Sequence, residues 1–195
     1  MKRLVSTAVF LLASAAFGLS QTVIYSNFGS QKGKIYDCCN GYQFRYNSSI
    51  GAIAVPFVAP DNVTKLDHVA VAVQWVKAGG NRWHGAPFDN LHDANWSIAG
   101  DNNGLPGGNI TGGTFFKIPN VNTCCRRMTG GKKKNLQLDP GVQYWLVVSW
   151  AGTIGTVDQW AYNTTGATDP FAIEDQNGWY LVTDMTTPAV KIVGK

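Results

Sequence analysis

The sequence is short of charge. Charged residues occupy 14% of its 195 positions, where about 25% is usual for soluble domains. Glutamate is nearly missing: of 12 acidic residues, 11 are Asp and one is Glu174. Charged helix formers are therefore scarce, which argues against a coiled coil, a helical bundle and a charged disordered tail. Long apolar runs are missing too. Beyond the first 17 residues no stretch approaches the roughly 20 apolar residues that span a bilayer. There is no internal repeat, no low-complexity tract, no linker and no G-x-S-x-G nucleophile motif. The formal charge is +4. Removing Lys2 and Arg3, which belong to a targeting segment, leaves 14 − 12 = +2. So weak a positive balance gives no case for a nucleic-acid partner.

What the chain does have is glycine (22) and asparagine (15), set between short hydrophobic runs. These are turn formers. Met1-Lys2-Arg3 followed by an apolar Leu4 to Phe17 is the layout of a secretory signal peptide, with a small-x-small cleavage site at Ala16-Phe17-Gly18 or at Ala13-Ser14-Ala15. The expected organisation is a signal peptide over 1–18 and a single secreted domain over 19–195, with no transmembrane segment in the mature chain.

Four cysteines come as two adjacent pairs, Cys38-Cys39 and Cys124-Cys125. In an exported chain an even count reads as disulfides, with three connectivities open. Bonding within a pair needs a small strained ring. Cross-pairing would close a loop of about 90 residues, contributing about 4–5 kcal/mol in the chain-entropy model, and is the expected arrangement. A four-thiolate zinc site is disfavoured, since zinc ligand pairs are usually spaced by two to four residues.

Strand patterns fall at Thr22–Ser26, Ala52–Val58, Leu66–Val76, Trp96–Ala99, Thr114–Ile118, Tyr144–Trp150, Gln159–Tyr162, Trp179–Val182 and Ala189–Val193. Val69, Val71, Val73 and Trp75 alternate as a strand. Tyr144–Trp150 is apolar almost throughout and should be central, buried on both faces. Pro56 suggests an edge or a bulge. Strands this short and this regularly spaced predict an all-β fold, an antiparallel two-sheet β-sandwich of jelly-roll-like kind, stapled by disulfides. Gly79–Asn95 is the longest stretch without a strand pattern.

Site chemistry is sparse. Asp61, Asp101, Asp139 and Asp169 sit beside Gly, Asn or Pro, where a carboxylate caps a turn. His68 reads as a packing or rim residue. Asp101-Asn102-Asn103-Gly104 opens like a calcium loop and would admit a structural calcium ion, but the distal Glu is missing. A metal-free hairpin is expected, and no cofactor. The densest candidate is the loop Trp83–Asp93, holding Trp83, His84, Asp89, His92 and Asp93. These are metal-capable types without a standard metal spacing. Among seven tryptophans, Trp75, Trp145 and Trp150 should be buried, whereas Trp83 and Trp160 have polar neighbours and should be exposed. Exposed aromatic faces with amide neighbours suit sugar rings. Arg126-Arg127 and Lys132-Lys133-Lys134 form a basic loop. Five N-x-S/T sequons lie at Asn47, Asn62, Asn95, Asn109 and Asn163.

Several segments, taken together, have a familiar order. They are Asn27-Phe28-Gly29, Asp37-Cys38-Cys39, Ala54-Val55-Pro56-Phe57, the turn Asp101–Gly107, Thr123-Cys124-Cys125, and Leu138–Val148 with its Asp139-Pro140-Gly141 turn. This pattern resembles the choice-of-anchor R domain proteins of bacteria. The resemblance implies an exported β-sandwich at or beyond the cell surface, and it transfers no catalytic residue. Members often carry a C-terminal sorting tail, which does not follow the last strand pattern here. The expected function is non-catalytic extracellular binding, with a glycan as ligand class and Trp83, His84, Asp89, His92, Asp93 and Trp160 as binding candidates. The alternatives are a polysaccharide hydrolase using Asp89 and Asp93, and a purely structural surface protein.

Overall fold

The computed structural model describes residues 21–31, 34–38, 40–44, 49–77, 92–120, 126–132, 134–151 and 156–195. Among them there are 13 strands and no helix: β1 (Thr22–Ser26), β2 (Gly41–Phe44), β3 (Ala52–Val58), β4 (Leu66–Val71), β5 (Val73–Lys77), β6 (Ala94–Asn102), β7 (Leu105–Phe115), β8 (Met128–Gly130), β9 (Gln143–Trp150), β10 (Thr156–Ala161), β11 (Phe171–Asp175), β12 (Gly178–Val182) and β13 (Val190–Gly194). The all-β expectation holds. No helix among the described residues is long and apolar enough to cross a membrane.

The count of sheets is three, where two were expected. Their strand orders are β1-β13-β4-β8, β2-β10-β5 and β12-β11-β3-β9-β6-β7, and their strands pair antiparallel. The extra division has a local cause. The long run from Leu66 changes partner at Ala72, pairing with β13 before it and with β10 after it. At the changeover Ala72 donates to Ala189 O and accepts from Ala161 N, and Ala189 N donates to Ala161 O. All three alanines are fully buried. Only small side chains let three backbones cross this closely.

The six-stranded sheet shows the strand period of two. In β9, Tyr144, Leu146 and Val148 enter the main hydrophobic core, while Trp145 and Val147 join a second cluster with Ala52, Ala54, Ala99 and Ala172. The strand is thus central and buried on both faces, as its unbroken apolar run predicts. Pro56 is tolerated because β11 pairs only with Ala52–Ala54, so at Pro56 the strand has β9 alone beside it. The turn expected over Asp101–Gly107 is shorter than it reads. Only Asn103 and Gly104 make the bend, both at positive φ (54° and 80°), and Leu105 onward is strand.

Candidate functional site

Of the residues singled out from sequence, Trp83, His84, Asp89, Cys39, Cys124 and Cys125 lie outside the described residues, as does the segment expected to be a signal peptide. His92, Asp93, Trp160 and Cys38 are described. Trp160 corrects its expectation. It is fully buried, and its Nε1 donates to Ala189 O at 2.9 Å. On β10 it alternates inward with Tyr42 and Val73 as cross-strand neighbours, so its ring fills the core and offers no face to a ligand. His92 is 8% exposed and stacks on Trp75, with ring centroids 3.9 Å apart. Asp93 Oδ1 accepts the Lys117 backbone N–H at 2.9 Å. Trp75 and Trp150 are half-buried, whereas Trp145 is buried as expected. Asp101 accepts from Trp145 Nε1, Gln143 Nε2 and Gly104 N at 2.7–3.1 Å. Those donors, led by Trp145, hold its acid strength above the ordinary carboxylate's, lowering its pKa. A carboxylate ringed by donors caps a hairpin and is a poor calcium ligand.

A concave site lies elsewhere among the described residues. A cleft of about 520 Å³ opens between the loop after β1 and the loop after β10. Its lining is Gly29, Ser30, Gln31, Lys34, Tyr36, Asp37, Cys38, Thr164 and Thr165. Each loop is pinned by one buried asparagine. Asn27, 3% exposed, donates through Nδ2 to Pro188 O and accepts Val190 N–H on Oδ1 at 2.7 Å. Asn163, 5% exposed, donates to Ala167 O and Thr187 O and accepts from Thr165 N, Thr165 Oγ1 and Ala167 N. The two loops are tied directly, Thr164 Oγ1 donating to Lys34 O at 2.8 Å. Gly29 has no substitute at the contact: a Cβ there would run into Thr164 Oγ1 and come within 2.8 Å of Lys34 O. These bonds set the positions of the polar groups before any ligand arrives.

Tyr36 forms one wall. Its ring is 1% exposed, and its hydroxyl donates to Arg126 O at 3.1 Å and receives Gln74 Nε2 at 3.4 Å. Burial pushes that phenol's pKa up, so it remains a neutral hydroxyl. Arg127 lies 5.5 Å over the Phe28 ring. Residues flanking the second cysteine pair are therefore packed against residues flanking the first. Asp37 accepts from Asn40 N and Nδ2. Cys38 Sγ lies 3.7 Å from Tyr36 O.

No family model matches this chain. No curated protein matches it either. Solved structures do. One is the cysteine protease and lectin-like domains of Cwp84, a surface layer associated protein of Clostridium difficile. It has a TM-score of 0.51 and 12% identity, over 79% of this chain and 35% of that one. Another is the clostridial cysteine protease Cwp84 as a cysteine-to-alanine variant after propeptide cleavage, with a TM-score of 0.51 and 13% identity, over 91% of this chain and 38% of that one. The likeness is one of fold, and this chain spans little more than a third of those chains.

Chemically, the cleft is built to hydrogen-bond. Ser30, Gln31 and Lys34 offer donors, Thr164 and Thr165 hydroxyl lone pairs, and Asp37 a carboxylate. Among the described lining residues there is no histidine to activate a hydroxyl. Sequence reasoning missed Ser30, Gln31, Lys34, Thr164 and Thr165, which come together across 130 residues of chain. Two signals pointed there: the Asn27-Phe28-Gly29 and Asp37-Cys38 segments of the family resemblance, and the sequon at Asn163. That sequon is no glycan acceptor in the folded chain, because its amide is buried and fully bonded.

Proposed function

We propose that the protein is an exported, non-catalytic glycan-binding protein whose site is the Gly29–Cys38/Thr164–Thr165 cleft. The observation that carries this reading is the preformed cleft itself. Hydroxyl, amide, ammonium and carboxylate groups converge on a volume that suits one or two sugar rings. The fold likeness adds weight, since the neighbouring structure's description names a lectin-like domain and a surface layer. The even count of four cysteines, with Cys38 in the cleft wall, fits an oxidising, extracellular compartment. Cross-pairing of Cys38 with the second cysteine pair is part of this reading. The Tyr36–Arg126 bond, joining residues 90 positions apart, supports it. The resemblance to choice-of-anchor R domain proteins points to the same compartment.

A glycan array with the purified chain tests the proposal. Wild type should bind at least one glycan class, and Lys34→Ala and Thr164→Val should each weaken it about tenfold, the cost of one lost polar contact. No ligand above background for the wild type, or unchanged binding in both variants, would overturn it.

A further inference from the structure

The two arginines after the second cysteine pair are brought to the cleft. Tyr36 lines the cleft, and its hydroxyl donates to Arg126 O at 3.1 Å. The Tyr36 ring lies 6.4 Å from the Phe28 ring, and the Arg127 guanidinium lies 5.5 Å over that same Phe28 ring. Gly29, the next residue, lines the cleft. Arg127 is thus held at the rim by an aromatic face. Lys34 belongs to the lining itself. Its N–H donates to Gln31 O at 3.0 Å and its carbonyl accepts from Thr164 Oγ1 at 2.8 Å, so its backbone is fixed. Lys34, Arg126 and Arg127 are all exposed, and none is in an ion pair with a described residue. The described lining holds a single acid, Asp37, whose carboxylate accepts from Asn40 N and Nδ2. Cations therefore dominate here, although the whole chain is close to balanced, with 16 basic residues against 12 acidic.

We propose that the glycan taken by this cleft is an acidic one, whose carboxylate or sulfate groups meet Lys34 and Arg127. The inference rests on reading the cleft as a glycan site and names the class of glycan. A neutral sugar would leave these cations without a counter-charge. An acidic sugar gains charge-assisted hydrogen bonds, roughly twice as strong as neutral ones, and the local positive field draws it in. The planar fork of Arg127 matches a carboxylate or sulfate in a way that a lone ammonium does not. Its hydroxyls would meet Ser30 and Gln31 as donors and the lone pairs of Thr164 and Thr165. The concave shape favours a saccharide over a lipid surface, since a flat bilayer cannot enter a cleft of about 520 Å³.

The test measures binding of the purified chain to polygalacturonate, dextran sulfate and neutral dextran at about 50 and 500 mM salt. At low salt one of the two acidic polymers should bind at least about tenfold tighter than dextran, and high salt should remove that advantage. Which polymer wins separates carboxylate from sulfate recognition. Lys34→Gln and Arg127→Gln should each weaken the acidic polymer about fivefold and leave dextran unaffected, whereas Lys34→Arg should retain binding. Lys65→Gln controls for charge in general. Lys65 lies at the opposite end of β4 from Ala72, which packs with Tyr36, and its substitution should change nothing. A salt-independent preference for dextran would overturn this inference and leave the glycan reading intact. A loss in Lys65→Gln as large as in Lys34→Gln would also overturn it, by making the attraction a property of the whole surface. Binding to phosphatidylglycerol vesicles with no polysaccharide bound would overturn both.

Discussion

Within six residues the chain passes between two opposite treatments of a buried polar side chain. Asp158 and Gln159, on β10, are each 2% exposed with one polar atom unpartnered, as is Gln74 across the ladder. Asn163, just beyond the strand, is 5% exposed and makes five hydrogen bonds. Asn27 belongs with Asn163. Burial alone therefore does not report what a polar residue contributes. A satisfied amide replaces backbone pairing where the chain leaves a sheet, and removing it strands its partners. An unsatisfied one has already lost its water without a replacement.

The comparison is sharpest at Asn163. Asn163→Ala takes the acceptor from the Thr165 and Ala167 N–H groups, while Ala167 O and Thr187 O keep the backbone N–H groups of residues 187 and 163, and should cost about 3 kcal/mol. For a domain of this size that is a Tm fall of roughly 10 °C. The same substitution should abolish ligand binding by the cleft, because Thr164 and Thr165 lose their frame. Asn27→Ala should follow, at about 2 kcal/mol, with its two side-chain bonds gone. Chemical denaturation of the two variants checks the ranking. A cost for Asn163→Ala below that of an ordinary surface substitution would erase the distinction.

How much of this was legible follows the same line. The strands were, because period-two alternation and turn residues are local signals; β1, β3 and β9 appear with the bounds their apolar runs predict, or within one residue. The break at Ala72 was not, since it depends on which strand lies alongside. Trp160 was misjudged for a physical reason. Its neighbours Asp158 and Gln159 are polar, and polar neighbours predict exposure, yet both are themselves buried. The cleft was hidden because Lys34 and Thr164 meet only through tertiary structure. The Asn163 sequon showed the right residue type with the wrong role.

Asp101 extends the comparison to charge. Its three donors hold its folded pKa below the unfolded value. The sign is that of a depressed acid: its stabilisation is fully present above the unfolded pKa of about 4 and is lost as pH falls through the folded value. The group is exposed, so solvent screens the effect and it should be modest. Asp101→Asn should slightly destabilise the chain at neutral pH and flatten the acid limb of its stability curve. Equal slopes below pH ~4 for variant and wild type would show that the donors around Asp101 do not discriminate its ionised form.

The smallest effect is expected where an amide is already unsatisfied. Gln159→Met keeps side-chain length and volume and removes an Nε2 that has no partner. Losing a bond that was never made costs nothing, and the variant no longer holds a dehydrated donor in the interior. Its stability should match wild type within about 1 kcal/mol, or exceed it. The measurement that matters is the gap between this variant and Asn163→Ala under one set of conditions, since the two amides sit four residues apart at similar burial. A loss for Gln159→Met as large as that for Asn163→Ala would mean that Nε2 is held in solution, by an ordered water or by the cleft's ligand reaching past Tyr36, and the unsatisfied class would lose a member.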